Sequence, residues 1–365
     1  ATTYGGGVSE LLRSQVPLER ALGLDSQWQV ISGDEPFFRV TKAFHNALQG
    51  GAYHLTRADQ ETYLAYNSRN AQALAGEYDF VIVHDPQPAA LRHLSSGIKA
   101  RWIWRCHIDT SNPDPEVWEF LVPFINEYDT VIFTLREFVP PGLKIRVETI
   151  LPAIDPLSPK NMELPGYMSQ HLLNWIGVPK DGPLICQVSR FDPWKDPLGV
   201  IEAYRLIKGE RPDVRLALVG SMALDDPEGW DIYNKIIEAE RQERHIHVFT
   251  NLVGVGDVQV NAFQRLADVV IQKSIREGFG LVVSETLWKG TPVVARRAGG
   301  IPSQMAGGGG SLVESVEETA EKVLELLANP ELAAEEGRRG KAYVHKNFLI
   351  TRLIHDELKL LASMI

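Results

Sequence analysis

At 365 residues the chain is long enough for two domains, each with its own sizeable core. Hydrophobic residues make up 44% and charged residues 23%, the balance of a soluble globular protein, and no apolar run is long enough to span a bilayer. A formal net charge of −10 with no dense Lys/Arg run speaks against nucleic acid and anionic membranes as partners.

The first recognisable element is Gly5-Gly6-Gly7 followed by Val8, Leu11, Leu12 and Val16, a glycine loop opening an amphipathic helix. A doubly wound nucleotide fold ordinarily sets a strand ahead of such a loop, so the first strand is expected to be absent or short here. Trp28–Ile31 is a strand candidate, and Glu35–Leu48 and Ala58–Leu74 read as helices. Tyr78–Asp85 and Arg101–Asp109 are near-continuous apolar runs that each end in a His and an Asp, as buried parallel strands would. Ligands gather at the carboxyl ends of strands in open α/β sheets, so His84, Asp85, His107 and Asp109 are expected to face a crevice. Thr130–Phe133 and the stretch from Val147 to Ile150 complete a first sheet. Cys106 and Cys186 lie far apart in apolar runs and read as reduced core residues of a cytoplasmic protein.

Pro152, Pro156, Pro159, Pro165 and Pro179 punctuate the crossing to a second alternation. Its strands are expected at Leu184–Val188, Val214–Val219, Ile246–Phe249 and Val269–Ile271, and its helices at Leu198–Ile207, Ile232–Arg241 and Val258–Leu266. Two such alternations imply two doubly wound parallel sheets. Next comes Lys273–Pro302, where Glu277, Gly278, Phe279 and Gly280 form a tight turn into a helix beginning near Gly280 and carrying Glu285. The free N–H groups of a helix's first turn suit an anion, and Gly278 and Gly280 let backbone approach a ligand closely. Pro292–Ala295 reads as a buried strand and Ala298–Pro302 as a second glycine loop on the same crevice. Gly307–Gly310 reads as a flexible loop. From Glu317 the tail is helical, with Gly337 and Gly340 as candidate breaks.

Arg190 and Lys195 project from the loop after the Leu184–Val188 strand, where a planar fork and a compact charge together suit a diphosphate. For either cation alone a solvated side chain is the plainer reading; a structural histidine is the alternative for His107, and a cap before Pro86 is the alternative for Asp85. Asp225-Asp226 is not an Asp-x-Asp metal motif, and no His/Cys/Asp cluster has ligand spacing, so no metal is expected.

The string EGFGLVVSE, with KGTPVVA and AGGIP after it, closely resembles the donor site of family 4 retaining glycosyltransferases. TTYGGGVSELL, VIVHDPQPAAL and WRCHIDTSNPDPEVW most resemble the trehalose synthases and trehalose phosphorylases of that family, and the likeness covers nearly the whole chain. It implies a GT-B architecture, two Rossmann-like domains facing across a cleft, with residues 1–155 completed by a helix over 349–365 and a donor domain over 156–348. It implies transfer of glucose from UDP-, ADP- or GDP-glucose to free glucose, giving α,α-trehalose with retention. A phosphorylase, or a family member with another sugar acceptor, is the alternative. The implied catalytic residues are His107, Glu277, Arg190 and Lys195. Gly6, Gly7, Leu252, Gly278, Phe279, Gly280, Leu281 and Glu285 would join Arg190 and Lys195 in holding the nucleotide-sugar, with Glu285 on the ribose. His84, Asp85 and Asp109 would hold the acceptor. No cofactor is implied, and the oligomeric state is left open, a homodimer included.

Overall fold

The computed structural model describes residues 6–178, 181–222 and 227–365. The readings made for Gly5, Pro179 and Asp225-Asp226 lie outside the described residues. The chain divides into two compact units, one running up to Pro152 and resuming over Thr351–Ile365, the other Ala153–Ile350.

The first unit contains α1 (Gly7–Ala21), α2 (Glu35–Leu48), α3 (Arg57–Ala73), β1 (Phe80–His84), α4 (Leu91–Leu94), β2 (Arg101–Arg105), α5 (Pro115–Ile125), β3 (Thr130–Phe133) and β4 (Arg146–Thr149). The strands pair in parallel in the order β1-β2-β3-β4, with Ile82 opposite Ile103 and Trp104 opposite Val131. Trp102, Ile103 and Trp104 are fully buried, so consecutive residues, which point to opposite faces, are all covered. Phe37 and Phe44 of α2, Tyr63 of α3 and Leu121 of α5 pack into that core. Local signals start the helices: Asp34 caps α2 by accepting the Phe37 N–H, and Thr56 with Asp59 forms a reciprocal capping box on α3. Trp28–Ile31 is not a strand. Val30 is exposed, Gln29 bonds to the Tyr78 hydroxyl at 3.0 Å, and Ser32 just beyond bonds through its N–H to Asn70 of α3 at 2.7 Å. Side-chain partners take this segment in place of a ladder.

The second unit comprises α6 (Gly166–Trp175), β5 (Leu184–Arg190), α7 (Pro197–Glu210), β6 (Arg215–Ser221), α8 (Pro227–Gln242), β7 (Ile246–Thr250), α9 (Asp257–Leu266), β8 (Val269–Gln272), α10 (Leu281–Trp288), β9 (Val293–Arg296), α11 (Ile301–Met305), β10 (Gly310–Val313), α12 (Val316–Ala328) and α13 (Pro330–Asn347). The final helix, α14 (Ile350–Ala362), belongs almost wholly to the first unit. All strands of the second sheet are parallel, in the order β10-β9-β8-β5-β6-β7. The chain steps outward from β5 to β7, then returns to the other side of β5 and steps outward again from β8 to β10. β5 and β8 are neighbours in the sheet and mark its switch point, the place where open α/β sheets put a ligand crevice.

Three expectations change here. The proline-punctuated crossing contains a helix, α6, whose Leu173 is buried with Leu184 and Cys186 of β5. Gly307–Gly310 is not a loop to its end: Gly310 opens β10, and a Cβ on it would stand 1.8 Å from the Val293 carbonyl oxygen. Gly337 and Gly340 do not break the tail. Both lie inside α13, where a Cβ at Gly337 would come 1.9 Å from the Gly290 carbonyl oxygen. They are glycines because another backbone passes against the helix. Cys106 and Cys186 are free and buried. No helix among the described residues is long and apolar enough to cross a membrane.

Candidate active site

At the switch point of the second unit, β5 ends at Arg190 and a 3-10 turn over Pro193–Lys195 leads to Asp196, the residue that caps α7. β8 ends at Gln272, and the loop Lys273–Gly280 leads to α10. The two loops are tied together. Lys195 Nζ donates to Glu277 Oε2 at 2.7 Å, the Ile275 N–H donates to the Trp194 carbonyl at 2.7 Å, and Lys273 is ion-paired to Asp196. Ser274 Oγ donates to the same Glu277 oxygen at 3.1 Å and accepts from Gln272 Nε2 at 2.9 Å. Gln187 Nε2 holds the Lys195 carbonyl at 2.8 Å, so this lysine is fixed at both ends. Arg190 is freer: its guanidinium is half exposed and lies 3.3 Å from Asp192.

The turn into α10 is shaped by glycine. Gly280 has φ 83, a conformation that L side chains resist, and no side chain caps the helix there. The Val283 N–H already bonds to the Gly280 carbonyl at 2.9 Å, so an anion or a hydroxyl would meet the N–H groups of Leu281 and Val282 ahead of it. A Cβ on Gly299 would come 1.7 Å from the Glu277 carbonyl oxygen, so the second glycine loop lies directly against the first. Beneath them Gln304 of α11, fully buried, donates to the Phe279 carbonyl and accepts from the Ser284 N–H at 2.9 Å and from its hydroxyl.

The remaining predicted donor residues are spread differently. Phe279 turns its ring inward against Phe348, centroids 5.7 Å apart, so only its backbone can meet a ligand. Leu281 is the first residue of α10, and Leu252, exposed, sits in the 3-10 turn after β7. Glu285 is buried beside α9, accepting from Gln264 Nε2 at 3.1 Å, with Lys160 Nζ at 3.9 Å. Ser274, Lys273, Gln264 and Gln304 were not singled out from the sequence. Only Ser274 and Lys273 had a signal there, their position immediately before Glu277.

In the first unit, His84 closes β1, and Asp85 follows it with φ 67. Asp85 keeps the ladder through its N–H to the Arg105 carbonyl at 2.8 Å, takes the Trp104 indole N–H on its own carbonyl at 2.9 Å, and accepts the His107 N–H on its carboxylate at 2.9 Å. His84 Nδ1 and His107 Nε2 are 2.9 Å apart, with ring centroids 5.2 Å apart and planes 13° apart. That centroid separation equals the N···N distance plus a ring radius on either side, so the rings meet edge to edge in a hydrogen bond. Burial, then the Arg105 charge, lowers His84 to about 3, and the same causes hold His107 well below its ordinary value. Burial raises Asp85 to about 6 against the opposing pull of the His107 N–H and Arg105. Arg105 is itself buried, lowered to about 10 by burial and then by Arg352. It is paired with Glu357 of α14, which also takes the side-chain amide of Gln15 in α1. Asp109 closes its own turn by accepting the Ser111 N–H at 3.0 Å. Gly6 (φ 86) caps α1, and Gly7 begins it. Among the described residues no three His, Cys, Asp or Glu side chains group so as to hold a metal ion.

Two parallel-sheet units, one of them with a cation-and-glutamate crevice at its switch point, match a known architecture. The solved α,α-trehalose 6-phosphate synthase of Burkholderia multivorans superposes with a TM-score of 0.77 over 100% of this chain and 94% of its own, at 16% identity. Residues 173–343 match the family "Glycosyl transferases group 1". The protein is a retaining glycosyltransferase of the GT-B fold. Residues 1–140 match "Trehalose synthase, N-terminal domain". The trehalose synthase of Rubrobacter xylanophilus is 54% identical over 100% of this chain and 89% of its own, and that of Pyrococcus horikoshii is 48% identical over 100% and 88%. The chain belongs to the trehalose synthase family.

Proposed function

We propose that the protein moves glucose from a nucleotide-glucose to free glucose and makes α,α-trehalose with retention. The observation that carries this reading is the 2.7 Å contact between Lys195 and Glu277 at the mouth of the α10 turn. It brings a diphosphate-binding charge and a carboxylate suited to sugar hydroxyls to one point, as a sugar diphosphate requires. Arg190 and Lys195 would take the diphosphate, Glu277 the donor sugar and Glu285 the ribose. His84, Asp85, His107 and Asp109 would serve sugar hydroxyls from the first unit, where neutral imidazoles suit a neutral ligand. As the acceptor hydroxyl bonds to the anomeric carbon, the bond from that carbon to the phosphate oxygen breaks on the same face. The departing diphosphate takes the hydroxyl proton, so no side-chain nucleophile is needed. The loop cations would stabilise the growing phosphate charge, a part played in other transferases by a divalent cation, and turnover is expected to survive a chelator.

The test is incubation with glucose and, in turn, UDP-, ADP- and GDP-glucose, measuring trehalose and free nucleoside diphosphate. Equal amounts of both are expected. No trehalose from any donor, with glucose 1-phosphate formed from trehalose and phosphate, would make the enzyme a phosphorylase. Failure of both arms would point to another acceptor. The glutamate roles separate by calorimetry with bare nucleoside diphosphate: Glu285→Ala weakens binding, whereas Glu277→Ala keeps it and loses turnover.

A further inference from the structure

Three ion pairs stand at the switch point of the second unit. Arg190 lies 3.3 Å from Asp192 and Lys195 2.7 Å from Glu277, while Lys273 is paired with Asp196. The third pair has no part in the chemistry set out above, yet Asp196 is a strained choice for its place. It has φ 48 and shares a positive φ with Asp85 alone among the described non-glycine residues. Glycine would sit there without strain. Capping α7, where the Asp196 carboxylate accepts the Gly199 N–H at 3.1 Å, does not call for a charge, since Asn, Ser or Gly also serve as caps.

That carboxylate follows Lys195 directly in the chain. Left alone it would oppose any anion held by the loop. Lys273 reaches it from the loop after β8, with its side chain only 8% exposed. Space has been made for the contact: a Cβ on Gly199 would come 2.3 Å from Asp196 Oδ2 and 2.6 Å from Lys273 Nζ. Asp196, Gly199 and Lys273 therefore form one packed unit at the start of α7.

We infer that Lys273 is a positioning residue of the diphosphate loop, which cancels the charge of Asp196 and so leaves that of Lys195 to the leaving group. It also joins the loop after β8 to the loop after β5, beside the Lys195–Glu277 contact. It acts through Asp196 and touches no substrate. The inference rests on the reading of Lys195 as a diphosphate-binding residue.

The test is a cycle on the full chain of Lys273→Met, Asp196→Gly and the double variant. Calorimetric affinity for UDP and ADP, turnover and KM with UDP- or ADP-glucose plus glucose, and a melting curve are measured for each. Lys273→Met exposes an uncancelled carboxylate and is expected to weaken nucleotide binding about tenfold or more. Asp196→Gly frees a cation and is expected to hold or tighten that affinity. The double variant is expected to regain most of the loss. A purely structural pair would instead be damaged equally by either single change, and that result overturns the inference. So does a folded Lys273→Met that binds like the wild type, or a double variant no better than Lys273→Met. Should Lys273→Met not fold, an Asp196→Gly protein that binds UDP more weakly than the wild type is enough to refute it. Lys195→Ala separates the layers: if it leaves binding and turnover untouched, the underlying reading fails. If it harms them while the Lys273 variants match the wild type, only the inference falls.

Discussion

At the ends of β1 and β2, His84, Asp85 and His107 are pushed by burial toward their uncharged forms, with His84 down at about 3 and Asp85 up at about 6. At the ends of β5 and β8, Arg190, Lys195 and Lys273 each have a carboxylate within reach, and Arg190 stays half exposed. The same sheet geometry thus supports two electrostatic designs. In the first unit the buried Arg105 is paired with Glu357, and His84 and His107 at the strand ends are hydrogen-bonded to each other. In the second, charge is kept at the mouth of the crevice in exchangeable pairs. On the function proposed above, neutral hydroxyls would suit the first of these surfaces and a diphosphate the second.

The comparison breaks most sharply at Glu357. Glu357→Ala strands Arg105 in the core, and chemical denaturation should show a loss of roughly 3–5 kcal/mol, the usual cost of orphaning one partner of a buried pair. Near-normal stability would mean that the first unit does not rely on this charge. Lys195→Ala should do the reverse, costing on the order of a hundredfold in turnover with a small change in melting temperature. Steady-state kinetics beside a melting curve decides it, and an unfolded variant with normal residual turnover per folded molecule would refute it.

Acid sharpens the contrast next. The unfolded chain protonates histidine near its ordinary value of 6.5, while His84 and His107 stay neutral in the fold, so stability drains away as pH falls below 6.5. Asp85 works the other way, because its folded form holds a proton up to about 6 whereas the unfolded form releases it near 3.8. Two histidines outweigh one carboxyl, so stability is expected to fall as the pH drops from 6 toward 4. Replacing both histidines with Gln should flip the sign of this contribution between pH 6 and 4, read from melts at stepped pH. An unchanged acid slope would remove the burial argument. The smallest effect is expected for Arg190→Lys, roughly tenfold in turnover if the two-pronged phosphate contact proposed for it is lost, with stability untouched because the side chain is half exposed.

Much of the architecture could be read from the chain because parallel strands covered on both faces are continuous apolar runs, as Trp102-Ile103-Trp104 is. The candidate residues at strand ends could be placed for the same reason: His84 and Arg190 close strands, and Glu277 follows one. What could not be read is whatever depends on a partner distant in sequence. Nothing near Arg105 announces Glu357 at the far end of the chain. Gly337 and Gly340 look like helix breakers until the Gly290 carbonyl and Leu287 are seen against them. Trp28–Ile31 has the composition of a strand, but its surroundings offer the side chains of Tyr78 and Asn70 in place of an edge. The Lys273–Asp196 pair is hidden for a related reason, since each residue alone is an ordinary loop charge.

Gln304 carries a consequence for the thermodynamics of capture. Its single amide, buried under the turn into α10, engages the Phe279 carbonyl and both the N–H and the hydroxyl of Ser284, while the Gly300 N–H is bonded to the Gly278 carbonyl at 3.2 Å. The backbone that would receive a nucleotide is therefore ordered when the protein folds and not when the ligand arrives. Binding then forfeits little conformational entropy, and the amide proton of Ser284 should exchange with solvent as slowly as those of the central strands.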